Sequence, residues 1–514
     1  MGALDGRGSL GHGAGRGAGW RGHRLRRSRP GRAGAASPRT PRALAPAPAL
    51  VSRAVQRPKR GDEIDVTVDD LAFGGRGVSR ADGFVVFTPD TAPGDRARVR
   101  LRRVRRRFGE AELVEVLEPG PGRIAPPCAF VPECGGCRLQ QVDYDVVLDA
   151  KRRQVAEHLA RIGGLEGVDV READPAIDHF GYRNKMEYSA SPGPDGEMRL
   201  GFHRRGRWDE VVDIDACLLA TSTGNVAREA VRAWAVDEGL APYDQRAQLG
   251  VLRHVVVREG VLTGQVLVTV VTAPGPDEAV DRLADRLPAQ VPGLVGIVHA
   301  VNDGMSEVTG GLPSRTVWGQ DWFEEAVEVD PGRPVTLRLS AGSFFQTNSR
   351  MTGHLYRRAA EAAGLTGGEV LYDLFAGVGS IGVALGALSR HVVAIELMPE
   401  AVEDARGNAE RNGIANHTAM AGDVRVVLRE HRGHLPEPDV AIVDPPRAGL
   451  SGGACRRIVE LAPKTLVYVS CQPATFADNA KRLVDGGYRL EWVQPVDMFP
   501  QTPHIEAVAR FTRG

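Results

Sequence analysis

A thiol and several carboxylates stand at the ends of apolar, strand-like runs in the last third of this chain. Cys471 follows the β-branched run 465–469 and precedes Pro473, which opens a helix-compatible segment. In an open α/β sheet such a position is the C-terminal edge of a strand, where ligands bind. A thiol there is a nucleophile if its surroundings keep it partly ionised, and an inert packing residue if they do not. Its company favours the nucleophile. Asp373-Leu-Phe-Ala-Gly-Val-Gly-Ser380 reads as strand end, glycine turn and helix start, and Glu396 ends the next apolar run, 23 residues beyond Asp373. Asp444-Pro-Pro446 ends another run, and Glu506 follows a loop-like segment, 500–505, able to carry it over the same edge.

Gly377-x-Gly379-x-x-Gly382 also satisfies the dinucleotide fingerprint, so a nicotinamide cofactor has to be weighed. Asp373 argues against it. A carboxylate ahead of the turn suits a cationic ligand without phosphates, such as S-adenosylmethionine, better than a pyrophosphate. Glu396 would accept from ribose hydroxyls in either case, whereas Asp444 has a place in methyl transfer and none in hydride transfer. The cysteines at 128, 134, 137, 217, 455 and 471 are too few for a disulfide scaffold. Cys128, Cys134, Cys137 and Cys217 read as a ligand group, and their spacing leaves an all-cysteine zinc site and an iron–sulfur cluster equally open. Cys455 falls in a helical pattern and is expected to pack.

These residues need a scaffold, and 514 residues allow for about three domains. No apolar run approaches the roughly eighteen residues of a membrane span, so a cytoplasmic protein with no membrane partner is expected. Net charge is zero, but residues 1–57 hold twelve Arg and one Asp, +11, which leaves −11 for the rest. That Gly/Ala/Pro-rich stretch is expected to be a disordered extension. Residues 58–120 carry about five short strand patterns and suggest an OB-like barrel. Within it Arg96, Arg98, Arg100 and Arg102 alternate with Ala97, Val99 and Leu101, which predicts one cationic face, read as a phosphate contact to RNA. Residues 121–340 read as mixed α/β, with a helix near 145–162 and strands near 185–190, 254–258, 265–272 and 295–300. Two segments there, Phe180–Met186 and Gly201–Arg207, interleave aromatic and basic residues in a way that suits stacked bases and phosphates. Residues 341–514 alternate β and α as a doubly wound sheet does.

Six motifs, in order over about residues 60–514, resemble the RNA (uracil-5-)methyltransferases in their iron–sulfur branch, which carries an N-terminal RNA-binding TRAM barrel. They are Cys134-Gly-Gly-Cys-Arg-Leu-Gln-Gln-Val-Asp-Tyr144, Phe344-Phe-Gln-Thr-Asn348, Asp373-Leu-Phe-Ala-Gly377, Asp444-Pro-Pro-Arg-Ala-Gly449, Val469-Ser-Cys-Gln-Pro473, and Asp497-Met-Phe-Pro500 with His504-Ile-Glu506. The resemblance implies a Rossmann-like methyltransferase domain behind a TRAM barrel and a mixed α/β central domain. It implies S-adenosylmethionine contacts at Gln346, Phe375, Glu396 and Asp444, with Ser380 and Asp423 as further contacts. Ser380 stands where the family often has Asn. It also implies a 4Fe–4S cluster on Cys128, Cys134, Cys137 and Cys217, Cys471 as nucleophile toward uracil C6, and Glu506 as the base at C5. The expected substrate is a flipped or unpaired uridine, in 23S ribosomal RNA ahead of tRNA, and a monomer is expected. Two other readings compete. A radical methylthiotransferase also joins such a barrel to a cluster, but it needs Cys-x3-Cys-x2-Cys, and the first gap here is five residues. A non-catalytic RNA-binding or RNA-folding factor would keep the barrel without needing Cys471 or Glu506.

Overall fold

The computed structural model describes residues 58–81 and 83–514; the expectation for the N-terminal extension therefore lies outside the described residues. Five strands, β1 (Glu63–Ala72), β2 (Arg76–Ala81), β3 (Phe84–Thr88), β4 (Arg96–Val104) and β5 (Phe108–Glu118), close into a barrel in the order β1-β2-β3-β5-β4. Period-two alternation sends Val66, Val86, Ala97, Val99, Leu101 and Ala111 inward, where they form the barrel core.

The outward face of β4 departs from expectation. Register sets Arg98 opposite Asp65 on β1 and Glu115 on β5, and Arg100 opposite Glu63 and Glu112. Arg98 donates to Asp65 (3.0 Å) and Glu115 (2.6 Å), and Arg100 to Glu63 (2.7 Å) and Glu112 (3.1 Å). Arg102 pairs with Glu112 at 2.6 Å and Arg96 with Glu118 at 3.4 Å. Four arginines thus meet five carboxylates (Glu63, Asp65, Glu112, Glu115, Glu118), and the face sums to −1. A bare cationic strand for phosphate is not what the barrel presents there.

After the short β6 (Asp169–Val170) comes a seven-stranded sheet: β7 (Lys185–Pro192), β8 (Met198–His203), β9 (Val211–Asp213), β10 (Leu252–Gly260), β11 (Gln265–Thr272), β12 (Leu294–Val301) and β13 (Ser314–Gly319). Its order is β13-β12-β11-β10-β7-β8-β9. Helices Ser222–Asp237 and Leu283–Gln290 bury Trp234, Val231, Leu283 and Leu287 against one face of it. A hairpin of β14 (Trp322–Asp330) and β15 (Arg333–Ser340) follows.

The last sheet contains β16 (Val370–Leu374), β17 (His391–Glu396), β18 (His417–Ala421), β19 (Val440–Val443), β20 (Thr465–Ser470), β21 (Arg489–Val496) and β22 (Glu506–Thr512). The order is β18-β17-β16-β19-β20-β22-β21-β6, and β22 runs antiparallel to both neighbours. Its inner strands are apolar on both faces and are sandwiched between two helical layers, the doubly wound arrangement expected. Helix Tyr144–His158, its π-helical continuation Leu159–Gly163 and β6 lie with this sheet and not with the central one: Val155 and Leu159 share a core with Phe476 and Ala477, and β6 pairs with β21. No helix among the described residues is long and apolar enough to cross a membrane.

Candidate active site

The parallel strands β17, β16, β19 and β20 all end at one edge, and the antiparallel β22 begins there. Glu396, Asp373, Asp444, Cys471 and Glu506 consequently stand on five neighbouring strands, in that order across the sheet. Ser470 pairs with Ala507, and continuing that register by one position sets Cys471 beside Glu506. Only a strand entering against the others could set its first residue beside their ends.

The glycine turn after β16 is built for close approach. Phe375, Gly377 and Gly379 all have positive φ (67°, 55° and 74°), and a Cβ added at Gly377 would meet nothing within 4 Å. Glu396 braces the turn: Gly377 N–H donates to its Oε2 and Met398 N–H to its Oε1, each at 3.0 Å. Asp373 is fully buried; its Oδ2 accepts from Gly382 N–H at 2.8 Å, while Oδ1 has no partner among the described residues. An orphaned acceptor beside an open ledge fits a cationic small molecule such as S-adenosylmethionine. Ser380 Oγ lies 2.7 Å from the buried Tyr356 hydroxyl. Gln346 is buried close by, its carbonyl accepting from Asn184 Nδ2 at 2.9 Å, and Asn348 caps helix Ser349–Ala363. Asp423 is otherwise engaged. It caps helix Val424–Glu430 and takes the Arg425 guanidinium in a fork (2.9 and 2.6 Å), a bond that holds its carboxyl below the usual range.

Charge at this edge is held as protons. Burial, then Glu396, pushes Asp373 up to about 7; burial, then Asp373, does the same to Asp444 just past the end of β19. Burial and Asp444 raise Glu506 well above the carboxylate range, although Arg447 pulls the other way. Burial, then Glu506 and Asp444, lifts the Cys471 thiol to about 12. A positive ligand placed among these groups favours their ionised forms, so its arrival would release protons and arm the site.

Residues 497–505, which lead into Glu506, are fastened from several sides. Lys151 Nζ donates to Asp497 Oδ1 (2.7 Å) and Phe499 O (3.2 Å), and the Tyr144 hydroxyl to Asp497 Oδ2 (3.0 Å), in a buried knot. Asn348 Nδ2 reaches Met498 O (3.1 Å), Tyr182 OH reaches Pro500 O (2.9 Å), and the Arg138 and Leu139 N–H groups share Gln501 O (3.0 and 3.2 Å). Sequence reading passed over Lys151, because nothing local links it to a residue 346 positions away.

The four cysteines are neighbours but do not close on a centre. Cys137 and Cys217 pack with Tyr182 and Leu219, and Cys134 Sγ accepts from Gly136 N–H at 3.4 Å. Burial raises the thiols of Cys134, Cys137 and Cys217, Cys137 to about 12. Among the described residues no group of three or more His, Cys, Asp or Glu is arranged to hold a metal ion. The cluster expectation is therefore not carried by the structure, although the donor chemistry suits it. Cys455 is buried in the core, as expected.

Comparison with known proteins agrees with the fold. The family model described as tRNA (Uracil-5-)-methyltransferase matches residues 305–513, and the TRAM domain model matches residues 57–114. An uncharacterized RNA methyltransferase of Halalkalibacterium halodurans is 35% identical over 450 residues, covering 88% of this chain and 97% of that protein. One from Listeria monocytogenes is 36% identical over 454 residues with the same coverage. The crystal structure of Pyrococcus abyssi tRNA (uracil-54, C5)-methyltransferase in complex with S-adenosyl-L-homocysteine superposes with a TM-score of 0.68 at 31% identity, over 87% of this chain and all of that one. The chain belongs to the RNA (uracil-5-)methyltransferase family.

Proposed function

We propose that, as a member of that family, this protein forms 5-methyluridine in RNA through a covalent adduct between Cys471 and the uracil ring. The observation carrying the mechanism is the juxtaposition of Cys471 and Glu506 across β20 and β22, on the edge that also holds the carboxylate-lined glycine turn. Uracil C5 is a weak nucleophile. Cys471 gives up its proton to solvent as the site is armed, and addition of the resulting thiolate to C6 makes the ring an enolate and places electron density on C5. When bound, S-adenosylmethionine supplies an electrophilic methyl group. Glu506, as carboxylate, then takes the proton from C5, and the C6–S bond breaks to return the Cys471 thiolate and the aromatic ring. The target base must leave its stack to reach the thiol.

Gln346, Phe375, Ser380, Glu396 and Asp444 are the proposed cofactor contacts; Asp423 joins them only if Arg425 releases it. The bound S-adenosyl-L-homocysteine in the archaeal relative supports the choice of cofactor. The proposed substrate is 23S ribosomal RNA, on the pairing of a TRAM barrel with the cysteine motif. The relative named for uracil-54 of tRNA makes tRNA the rival. The proposed setting is a cytoplasmic monomer. For Cys128, Cys134, Cys137 and Cys217 the motif supports a 4Fe–4S cluster with a structural role, since methyl transfer moves no net electrons. Iron and sulfide analysis of anaerobically purified protein decides between that cluster and the packed thiols.

Transfer of labelled methyl from S-adenosylmethionine to bulk RNA, by wild type and by Cys471→Ala, tests the central reading; equal activity in both would refute it. Mapping 5-methyluridine in rRNA and tRNA from a deletion strain identifies the substrate.

A further inference from the structure

Three arginines that no motif brought together lie on segments bordering the edge that carries Cys471 and Glu506. Arg138 is fixed through its backbone, whose N–H donates to Gln501 O at 3.0 Å on the loop before Glu506. Arg183 makes backbone β-bridges to Ala220 and to Asn348, and directly follows Tyr182, whose hydroxyl holds Pro500 O on the same loop. Arg447 lies three residues past Asp444, and its carbonyl accepts from Thr475 Oγ1 (3.1 Å) on the helix that follows Cys471. Arg138 and Arg447 are exposed and Arg183 is half-buried. None of the three forms an ion pair among the described residues, and Arg183 Nε is buried without a hydrogen-bond partner. His504, on the loop before Glu506, is kept neutral by burial and then by the positive charge of Arg447, Arg183, Lys151 and Arg138.

We propose that Arg138, Arg183 and Arg447 form a phosphate cradle that grips the RNA backbone on either side of the target uridine. The inference rests on RNA being the substrate and deepens that reading by naming what holds the strand. A nucleotide whose base reaches Cys471 must leave its flanking phosphates outside the thiol, among the segments that carry these arginines. Guanidinium forks match phosphate oxygens in two parallel hydrogen bonds. An arginine with no carboxylate partner can do so without first breaking an ion pair, unlike those on β4. The cradle carries no sequence information. It supplies grip and register, and the choice of uridine belongs to other contacts.

The probe is a fluorescently labelled ten-residue oligouridylate, its affinity followed by anisotropy across a salt series without methyl donor. Arg138→Gln and Arg183→Gln should each reduce the slope of log affinity against log salt by about 0.7, and Arg138→Lys should keep the wild-type slope. Arg98→Gln/Arg100→Gln on the barrel is the matched control and should leave the slope unchanged. Methylphosphonates flanking a central uridine should weaken wild-type binding, and should weaken Arg138→Gln by less. Wild-type slopes in both Gln variants would overturn the cradle, as would an equal loss in the barrel control. Because no methyl transfer is read, intact grip in a protein that never methylates RNA would count against the covalent mechanism and not against the cradle.

Discussion

The barrel strand β4 and the C-terminal edge of the last sheet handle charge in opposite ways. On β4 every one of Arg96, Arg98, Arg100 and Arg102 finds a carboxylate on a neighbouring strand, so the most basic-looking strand in the chain is neutralised in place. At the edge, Asp373, Asp444 and Glu506 crowd together in burial with Arg447 near them, and Arg138, Arg183 and Arg447 have no ion-pair partners among the described residues. Density of charge in the sequence and availability of charge in the structure thus point to different places. A satisfied ion pair on an exposed sheet face contributes little to binding a third party. Buried carboxylates held above their ordinary range are work-ready toward a cation.

The contrast is sharpest where the chemistry is. Cys471→Ala should lower methyl transfer by at least about 10⁴-fold while S-adenosylhomocysteine affinity, read by calorimetry, stays nearly unchanged, because the thiol acts on the base. Glu506→Gln should lower turnover by about 10²–10⁴-fold and accumulate an RNA–protein adduct on denaturing gels, since addition and methylation precede the proton abstraction. Absence of the adduct would remove Glu506 as the base. Lys151→Met should cost about 3–5 kcal/mol in denaturant unfolding, since Asp497 would be left buried and unpaired. Lys151→Met/Asp497→Leu should recover most of that loss.

Asp373 makes a smaller, pH-dependent contribution. Its folded pKa is raised to about 7, so between roughly pH 4 and 7 the folded protein keeps a proton that the unfolded chain has lost. Stability should fall as pH rises through that window, by about 1.4 kcal/mol per pH unit for one proton. Asp373→Asn should flatten the curve, and an unchanged curve would mean that Asp373 is ionised after all. The smallest effect belongs to the barrel: Arg98→Gln/Arg100→Gln should lower Tm only slightly. A marked loss of RNA binding in that variant would break the comparison.

What was legible in advance follows from the range of the physics involved. Period-two alternation on β4 and the strand–glycine–helix pattern at 370–386 are local, and both elements formed where expected. Cys471 and Asp444 could be set at strand ends for the same reason. Neutralisation of β4 depends on register with β1 and β5, which alternation alone does not reveal, although the acidic residues of those strands were in view. Pairing of Cys471 with Glu506 required knowing that β22 inserts antiparallel between β20 and β21. The helix Tyr144–His158 reads as an ordinary amphipathic element, and its place against the last sheet is decided by Val155, Leu159 and Lys151 meeting partners more than 300 residues away.

The Lys151–Asp497 knot also has a temporal side. Chains are made from the N-terminus at about 5–20 residues per second, so Lys151 leaves the ribosome some tens of seconds before Asp497. Over that interval the helix Tyr144–His158 has neither its counter-ion nor the sheet that covers it, and the loop leading into Glu506 does not yet exist. The protein is therefore expected to gain its catalytic edge in a late closing step, when the C-terminal strands return to a helix made long before. Nascent chains stalled short of residue 497 should be cut by protease within that helix, and released full-length chains should resist.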